Sequence, residues 1–230
     1  MQLSERLSTV ASMVTAGNCL ADVGTDHGYV PIYLYERKMI PRAIAMDVNK
    51  GPLERAALHI AESGMKDVIE TRLSDGLTAL KPGEADSIVI AGMGGPLIIR
   101  ILSAYPEVTA SAKELILQPQ SEVFLVREWL SGQKYEITEE HMVFEDGKYY
   151  PMFKAVKNPS FKGLTAKECK FGRIKVLQEP EILKAFLNRE ITAKKEILKK
   201  LETEATEKSR IRAEEMKQLI FEYEEMLYEM

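Results

Sequence analysis

Short apolar runs alternate with amphipathic stretches along the first two thirds of the chain. Continuous apolar runs bounded by turn residues predict buried strands, and apolar residues spaced three and four apart predict helices. This alternation is typical of an α/β fold whose largely parallel sheet is covered on both faces. The predicted strands span 19–23, 42–46, 67–73, 87–91 and 114–117. The predicted helices comprise one at the N-terminus that Gly17 can end, one after Gly28, one over 51–64 and one over 121–131.

A hairpin and a pair of helices complete the predicted architecture. Strands 135–144 and 148–157 flank Asp146-Gly147, a pair that favours a tight antiparallel turn. After Pro159, apolar residues recur at alternating three- and four-residue steps, and the polar stretch 202–210 interrupts them. This pattern predicts two helices folded back as an antiparallel coiled coil. One long helix is the alternative, because no Gly or Pro enforces the turn.

Composition indicates an ordinary globular protein. The 230 residues are 45% hydrophobic and 29% charged, which is enough apolar surface for a full core. No run approaches the roughly 18 apolar residues of a membrane span, and no basic segment leads into an apolar one as in a secretory signal. Cys19 and Cys169 are the two cysteines, so neither a disulfide framework nor a zinc site is expected. We therefore expect a cytoplasmic protein without a membrane partner or a bound metal.

Charge is unevenly distributed along the C-terminal third of the chain. Residues 160–200 carry 11 Lys and Arg against 5 Asp and Glu, whereas residues 201–230 carry 4 against 9. A basic segment beside an acidic one fits either two solvated helices whose charges pair or a face that binds a polyanion. The sequence leaves these two interpretations open.

The clearest candidate for ligand chemistry is the loop from Asp22 to Gly28, which joins the first strand to the next helix. Its glycines let backbone approach a ligand closely, and the helix N-terminus supplies free N–H donors. A dinucleotide loop has glycine where this one has Asp22, and Asp26 adds a second carboxylate. Two anions disfavour a pyrophosphate but suit the ammonium and sulfonium groups of S-adenosylmethionine. The loop therefore favours that cofactor.

Two further carboxylates follow the next two strands. Asp47 ends the second strand, where it can accept hydrogen bonds from both ribose hydroxyls, although it could instead cap the helix that follows. Asp75 follows the third strand in a Ser-Asp-Gly turn and can accept from an adenine amino group. Parallel strands present their carboxyl ends at one edge, so all three acidic sites should meet there. The predicted cofactor residues are Asp22, Gly24, Asp26, Gly28, Tyr29, Asp47, Val48, Asn49, Asp75, Gly76 and Gly92.

A glycine-rich turn after the fourth strand is the candidate substrate site. Gly92, Gly94 and Gly95 could expose backbone groups to a flat substrate, with Met93 packed on its face. Enzymes that methylate an exocyclic amine often carry an Asn/Asp-Pro-Pro-aromatic motif here, and its absence favours a ring nitrogen. A plain strand-to-helix turn is the alternative.

Other residues of the same edge are weaker candidates. His27 could orient the substrate or serve as a structural hydrogen-bond partner. Gln118-Pro119-Gln120 ends the fifth strand and could line the substrate pocket. For a polyanion such as a nucleic-acid backbone, the candidates are Arg6 and the Lys and Arg of 160–200. The predicted catalytic residues are Asp26, His27, Gly92, Met93, Gly94 and Gly95.

The motifs together resemble the TrmK family of bacterial tRNA (adenine-N1)-methyltransferases. The residues that carry the resemblance are Asp22-Val-Gly-Thr-Asp-His-Gly28, Ser74-Asp75-Gly76 and Ile90-Ala-Gly-Met-Gly-Gly95. The resemblance spans about residues 3–157 and extends more loosely into the C-terminal helices. It implies S-adenosylmethionine as cofactor, tRNA as partner and N1 of adenine 22 in the D-arm as target.

We therefore predict a Rossmann-like class I methyltransferase sheet at 1–158 and a helical coiled-coil domain at 159–230. Direct displacement at the methyl group is the expected reaction, and a monomer is the favoured state. A small-molecule methyltransferase is the nearest alternative, since a dimerising coiled coil would show the same pattern. An NAD-dependent dehydrogenase fits the acidic loop and the hairpin poorly. A non-enzymatic RNA-binding protein would not need three acidic strand ends.

Overall fold

A mixed β-sheet positions the candidate site. The structure, a computed structural model, describes residues 2–204 and 206–230. The strands in these residues are β1 (Leu20–Val23), β2 (Ala43–Asp47), β3 (Ile69–Leu73), β4 (Ser87–Met93), β5 (Glu114–Pro119), β6 (Tyr135–Glu145) and β7 (Lys148–Lys157). They form one sheet in the order β3-β2-β1-β4-β5-β7-β6. Strands β1 to β5 pair in parallel, and β7 is antiparallel to both of its neighbours. The predicted Rossmann-like sheet with a terminal antiparallel hairpin is confirmed.

The order of the strands creates a crevice at the sheet's centre. The chain moves outward from β1 to β2 and β3, then returns to place β4 on the other side of β1. Ligands bind at such switch points, beyond the carboxyl ends of the strands. At the far side, Asp146 and Gly147 take φ of 49° and 75°, as a two-residue turn between paired strands requires.

Nine α-helices lie in the described residues, and they cover the sheet and form the C-terminal pair. They are α1 (Glu5–Ser12), α2 (Tyr29–Glu36), α3 (Lys50–Glu62), α4 (Gly95–Ala104), α5 (Pro106–Ser111), α6 (Val123–Gly132), α7 (Ala166–Phe171), α8 (Pro180–Thr203) and α9 (Glu207–Tyr228). None is long and apolar enough to cross a membrane. Helices α4, α5 and α7 were not predicted from the sequence pattern.

Both faces of the sheet are buried. Successive residues of the central strands contribute to different apolar clusters, so that Ile88 and Ile90 pack on one face and Val89 on the other. The same alternation places Leu115 and Leu117 opposite Ile116. All six side chains have no exposed area. This explains why the strands are continuous apolar runs rather than alternating ones.

The chain divides into two compact units, one ending at Gln178 and the other spanning Glu179–Met230. The division lies after the predicted boundary at residue 158, because the intervening segment packs on the first unit. There the Leu164 N–H donates to the Ser131 hydroxyl, and the buried Arg127 guanidinium donates to the Cys169 carbonyl. Neither contact is visible as a hydrophobic period in the sequence.

The second unit consists of α8 and α9. The chain leaves α8 after Thr203 and enters α9 at Glu207, which excludes the single long helix. Ion pairs join Lys195 to Glu224 at 2.7 Å and Glu202 to Lys217 at 3.6 Å, so later residues of α8 face earlier residues of α9. The two helices are therefore antiparallel. Supercoiling of the pair stays a prediction.

Candidate functional site

The loop between β1 and α2 approaches the crevice with exposed backbone. Gly24 and Gly28 have φ of 79° and 68°, a region that favours glycine. The N–H groups of Gly24 and Thr25 each donate to the Met46 carbonyl at 2.8 Å, which ties the loop to β2. Gly28 begins α2 without a side-chain cap, so the helix's first N–H groups face the loop. The loop therefore has the glycine conformations and the helix N-terminus that its sequence predicts.

Asp22 is a buried carboxylate at the end of β1, with 8% of its surface exposed. Burial raises the pKa of this carboxyl from 3.8 to about 6; Thr25 lowers it, and the negative charge of Asp47 raises it further. Among the described residues it forms no ion pair with a Lys or Arg. A cationic ligand group beside it would restore its ordinary ionisation. The site therefore favours an ammonium or sulfonium ligand.

Asp26 differs from Asp22 because its charge is already compensated. The Arg55 guanidinium on α3 lies 2.9 Å from its carboxylate, and the side chain is mostly exposed. His27 lies 3.4 Å from the same oxygen, and its ring stacks on Tyr29 and His59 at 5.0 Å from each. These contacts fix the outer half of the loop. They place Asp26 and His27 in the walls of the site rather than at its buried centre.

The end of β2 presents both polar and apolar groups. Asp47 accepts a hydrogen bond from the Asn49 N–H at 2.6 Å, which forms a local turn. The alternative role as a helix cap is not what the structure has, because Asn49 is the N-cap of α3 and no side chain caps it. The turn leaves the carboxylate at the crevice edge beside Val48, which is 56% exposed. Leu73, the partner of Asp47 in β3, is 50% exposed. Two exposed apolar side chains on adjacent strand ends offer a surface for a flat ring, which the sequence analysis had found only in part.

The turn after β3 is rigid. The buried Ser74 hydroxyl donates to the Gly76 carbonyl at 2.9 Å and accepts from the Ala79 N–H at 3.1 Å. Gly76 has φ of 60°, and a Cβ there would lie 3.0 Å from the Ile101 side chain. Asp75 stands exposed at the top of this turn. The predicted acidic third position is thus held at the same edge as Asp22 and Asp47.

The glycine-rich turn after β4 lies against the β1 loop. A bulge at Gly92, with φ of 82°, interrupts the register with β5. A Cβ added to Gly24 would overlap the Met93 methyl group, so the two predicted sites touch. Gly95 is buried, and a Cβ there would lie 2.7 Å from the Ser121 carbonyl oxygen. The turn is therefore both a packing requirement and one wall of the crevice.

Strand β5 and helix α1 join this wall in a way that no sequence pattern predicted. The Gln118 carboxamide is completely buried, and its oxygen accepts from the Gly92 N–H at 3.1 Å and from Arg6 at 3.0 Å. Arg6 was expected to bind RNA phosphates, with no position relative to the pocket, and the structure brings it to the glycine-rich turn through Gln118. From the sequence, Gln118 and Arg6 were separate candidates, and nothing indicated that they contact each other.

The residues fit S-adenosylmethionine better than a dinucleotide. The centre of the site is a buried, uncompensated carboxylate, and two further carboxylates and exposed apolar side chains surround it. The His27 Nδ1 atom is buried without a hydrogen-bond partner in the described residues, which leaves a polar group for a ligand. In the part of the chain that is described, no group of three or more His, Cys, Asp or Glu side chains could hold a metal ion.

Comparisons with known proteins agree with this geometry. The family model described as a methyltransferase domain matches residues 3–153. The tRNA (adenine(22)-N(1))-methyltransferase of Bacillus subtilis is 41% identical over 155 residues, which are 67% of this chain and 65% of that protein. The chain thus aligns with slightly less than two thirds of that relative.

Two solved structures match nearly the full chain. The crystal structure of the B. subtilis m1A22 tRNA methyltransferase TrmK has a TM-score of 0.85 at 31% identity, covering 98% of this chain and 99% of that one. The structure of M. capricolum TrmK in complex with S-adenosyl-homocysteine has a TM-score of 0.86 at 28% identity, covering 99% and 98%. Both similarities extend over the sheet and the C-terminal helices.

Proposed function

This chain belongs to the TrmK family, and from that premise we propose that it methylates N1 of adenine 22 in the D-arm of tRNA with S-adenosylmethionine as donor. The observation that carries the proposal is the contact between the Gly24 loop, with its buried Asp22, and the glycine-rich turn that ends β4. A site for a cationic cofactor and a site for a flat substrate thereby share one crevice.

Each proposed cofactor residue suits a different chemical group of S-adenosylmethionine. Asp22 and the backbone of Gly24 suit the methionine ammonium, because a buried carboxylate gains most from a cation. Asp47 suits the ribose hydroxyls, and Asp75 suits the adenine amino group, with exposed Val48 beside it. The remaining proposed cofactor contacts come from loop and turn residues: Asp26, Gly28, Tyr29, Asn49, Gly76 and Gly92.

The bound cofactor supplies a sulfonium-activated methyl group. Adenine N1 has a free lone pair at neutral pH, so the protein needs no base to activate it. Its work is alignment of the two reactants and exclusion of water. Gly92, Gly94 and Gly95 would present backbone groups to the base, Met93 would pack on its face, and His27 and Asp26 would hold the loop.

Adenine in RNA, rather than a small molecule, is the proposed substrate because the matched relatives act on tRNA. The basic segment 160–200 offers a polyanion fewer unpaired positive charges than its count of Lys and Arg suggests. Its cations that form ion pairs include Arg173, Lys184, Lys194 and Lys195. We propose that other Lys and Arg of 160–200 contact tRNA phosphates, and that the enzyme acts as a cytoplasmic monomer.

The test is methyl transfer from labelled S-adenosylmethionine to unmodified tRNA, followed by nucleoside analysis. The wild-type chain should form 1-methyladenosine in tRNA and none in a transcript whose adenine 22 is replaced by guanine. Asp75→Ala should lose most activity through weaker cofactor binding. Asp67→Ala, an exposed carboxylate just before the opposite end of the same strand, is the matched control and should retain activity. Cofactor binding without labelled tRNA would favour the small-molecule alternative instead.

A further inference from the structure

Arg6 occupies an unusual position for a residue of the first helix. It extends from α1 to the carboxyl edge of the sheet, where its Nη1 donates to the Gln118 carboxamide oxygen at 3.0 Å. The same oxygen accepts from the Gly92 N–H at 3.1 Å. One buried carboxamide therefore fixes both the guanidinium and the bulge of the proposed substrate pocket.

The charge of Arg6 has no anionic partner in the described part of the chain. Its guanidinium carbon lies 5.4 Å from the Tyr150 ring centroid, and its other side-chain contact is the neutral Gln118. The nearby Glu145 carboxylate accepts from the backbone N–H groups of Glu5 and Arg6 instead. A half-buried cation held by a ring and an amide is oriented but not neutralised. Such a group is prepared for an anionic ligand.

The chemistry of the reaction indicates which anion this is. Methylation at N1 leaves the adenine ring with a positive charge, so a guanidinium beside the ring would oppose the reaction. A phosphate carries its negative charge throughout and matches the planar fork of arginine. The phosphate groups on either side of the target nucleotide enter the pocket with it when the base is flipped.

We propose that Arg6 binds a phosphate flanking the target adenosine and that Gln118 is the positioning residue that aims it. This inference rests on the proposed function and names the contact that draws the target nucleotide into the pocket. Gln118 is completely buried and does not reach the substrate itself. It acts through Arg6 on one side and the Gly92 N–H on the other.

The first experiment compares variants in steady-state methylation of an unmodified tRNA transcript. Arg6→Met should raise KM for tRNA about tenfold or more, as expected for a lost charge-assisted hydrogen bond. The slope of log Kd for tRNA against log salt concentration should fall by about 0.7 to 0.9. Affinity for S-adenosyl-homocysteine should stay within about twofold of wild type. Arg6→Lys should recover part of the loss, because it keeps the charge without the fork.

Matched variants separate this role from a structural one. Arg37→Met removes another guanidinium that covers a tyrosine ring, at the C-terminus of α2 and so at the opposite edge of the sheet. It should leave KM and the salt slope unchanged. Gln118→Glu keeps the acceptor oxygen but sets a carboxylate beside Arg6, and it should reproduce the KM effect of Arg6→Met. Loss of cofactor affinity in parallel with KM in Arg6→Met would instead indicate a structural role and overturn the proposal.

The second experiment identifies the phosphate. Single neutral methylphosphonate linkages, each protected by a neighbouring 2′-O-methyl group, replace the linkages on either side of adenine 22 in turn. With the methylphosphonate at one of these two positions, the wild-type protein should lose as much affinity for the tRNA as Arg6→Met loses for unsubstituted tRNA. Combining the two changes should cost little more than either alone. Additive losses at both linkages would refute the contact, whereas absence of 1-methyladenosine with wild type would refute the proposed function instead.

Discussion

The ionised side chain of Asp22 should destabilise the cofactor-free protein. Its carboxyl has a pKa of about 6 in the fold, against 3.8 for an unperturbed aspartate. At 1.36 kcal/mol per pH unit, this rise corresponds to up to about 3 kcal/mol. Because the folded pKa is the higher one, the protonated carboxyl favours the fold. That stability is fully present below pH 3.8 and is lost as pH rises through about 6.

Asp22→Asn removes the buried charge with little change of shape. We expect its free energy of unfolding at pH 8 to exceed that of wild type by up to about 3 kcal/mol, and the difference to vanish near pH 4. Urea denaturation without cofactor at both pH values measures this. The variant should at the same time bind S-adenosyl-homocysteine about tenfold more weakly or worse, since a charged hydrogen bond is lost.

The matched control is Asp75→Asn, an exposed carboxylate at the same edge. Its free energy of unfolding should stay within about 0.5 kcal/mol of wild type. If Asp22→Asn is less stable than wild type at pH 8, or if its gain does not depend on pH, the argument from burial is wrong.

Two further predictions concern packing. Gly95→Ala should lower the free energy of unfolding, measured in urea, by about 1 to 3 kcal/mol. The reason is that the new Cβ would lie 2.7 and 2.8 Å from two backbone carbonyl oxygens of the loop before α6. Gly51→Ala is the control and should not be destabilised, because the nearest atom there belongs to a flexible side chain at 3.7 Å. Arg127→Met leaves the Glu140 carboxylate, 3% exposed, without its partner at 3.3 Å, and should cost about 3 to 5 kcal/mol. If the unpaired Glu140 carboxylate is the cause, adding Glu140→Gln to Arg127→Met should restore stability. A double variant as unstable as Arg127→Met alone would contradict this cause.

The strands and the strand-end carboxylates could be predicted because each has a local signal. Ile88, Val89 and Ile90 form an apolar run that burial on both faces requires, and Asp22 and Asp47 lie at the ends of such runs. Helices α4 and α5 were missed for the opposite reason. They follow the glycine turn without a polar linker, so no change of composition marks Gly95, the residue at which the first of them begins.

Contacts between distant residues could not be predicted in this way. Arg6 and Gln118 are 112 positions apart, and each is unremarkable in its own segment. The same holds for Arg127, whose contact with the Cys169 carbonyl attaches the segment after Pro159 to the first unit. Pairings of this kind depend on how the sheet brings its edges together. A single sequence contains no local pattern for them.

The attachment of α1 has a consequence for the order in which the pocket assembles. The helix begins where Glu145 accepts the Glu5 N–H at 2.8 Å, and Glu145 is the last residue of β6. A growing chain thus completes its cofactor loop more than a hundred residues before the anchor for its own first helix exists. A nascent chain that stops before the hairpin contains Asp22, Asp47 and Asp75 but lacks Glu145, which anchors α1, and Tyr150, over which the Arg6 guanidinium lies. Competence to hold the cofactor would then precede competence to hold the RNA during synthesis.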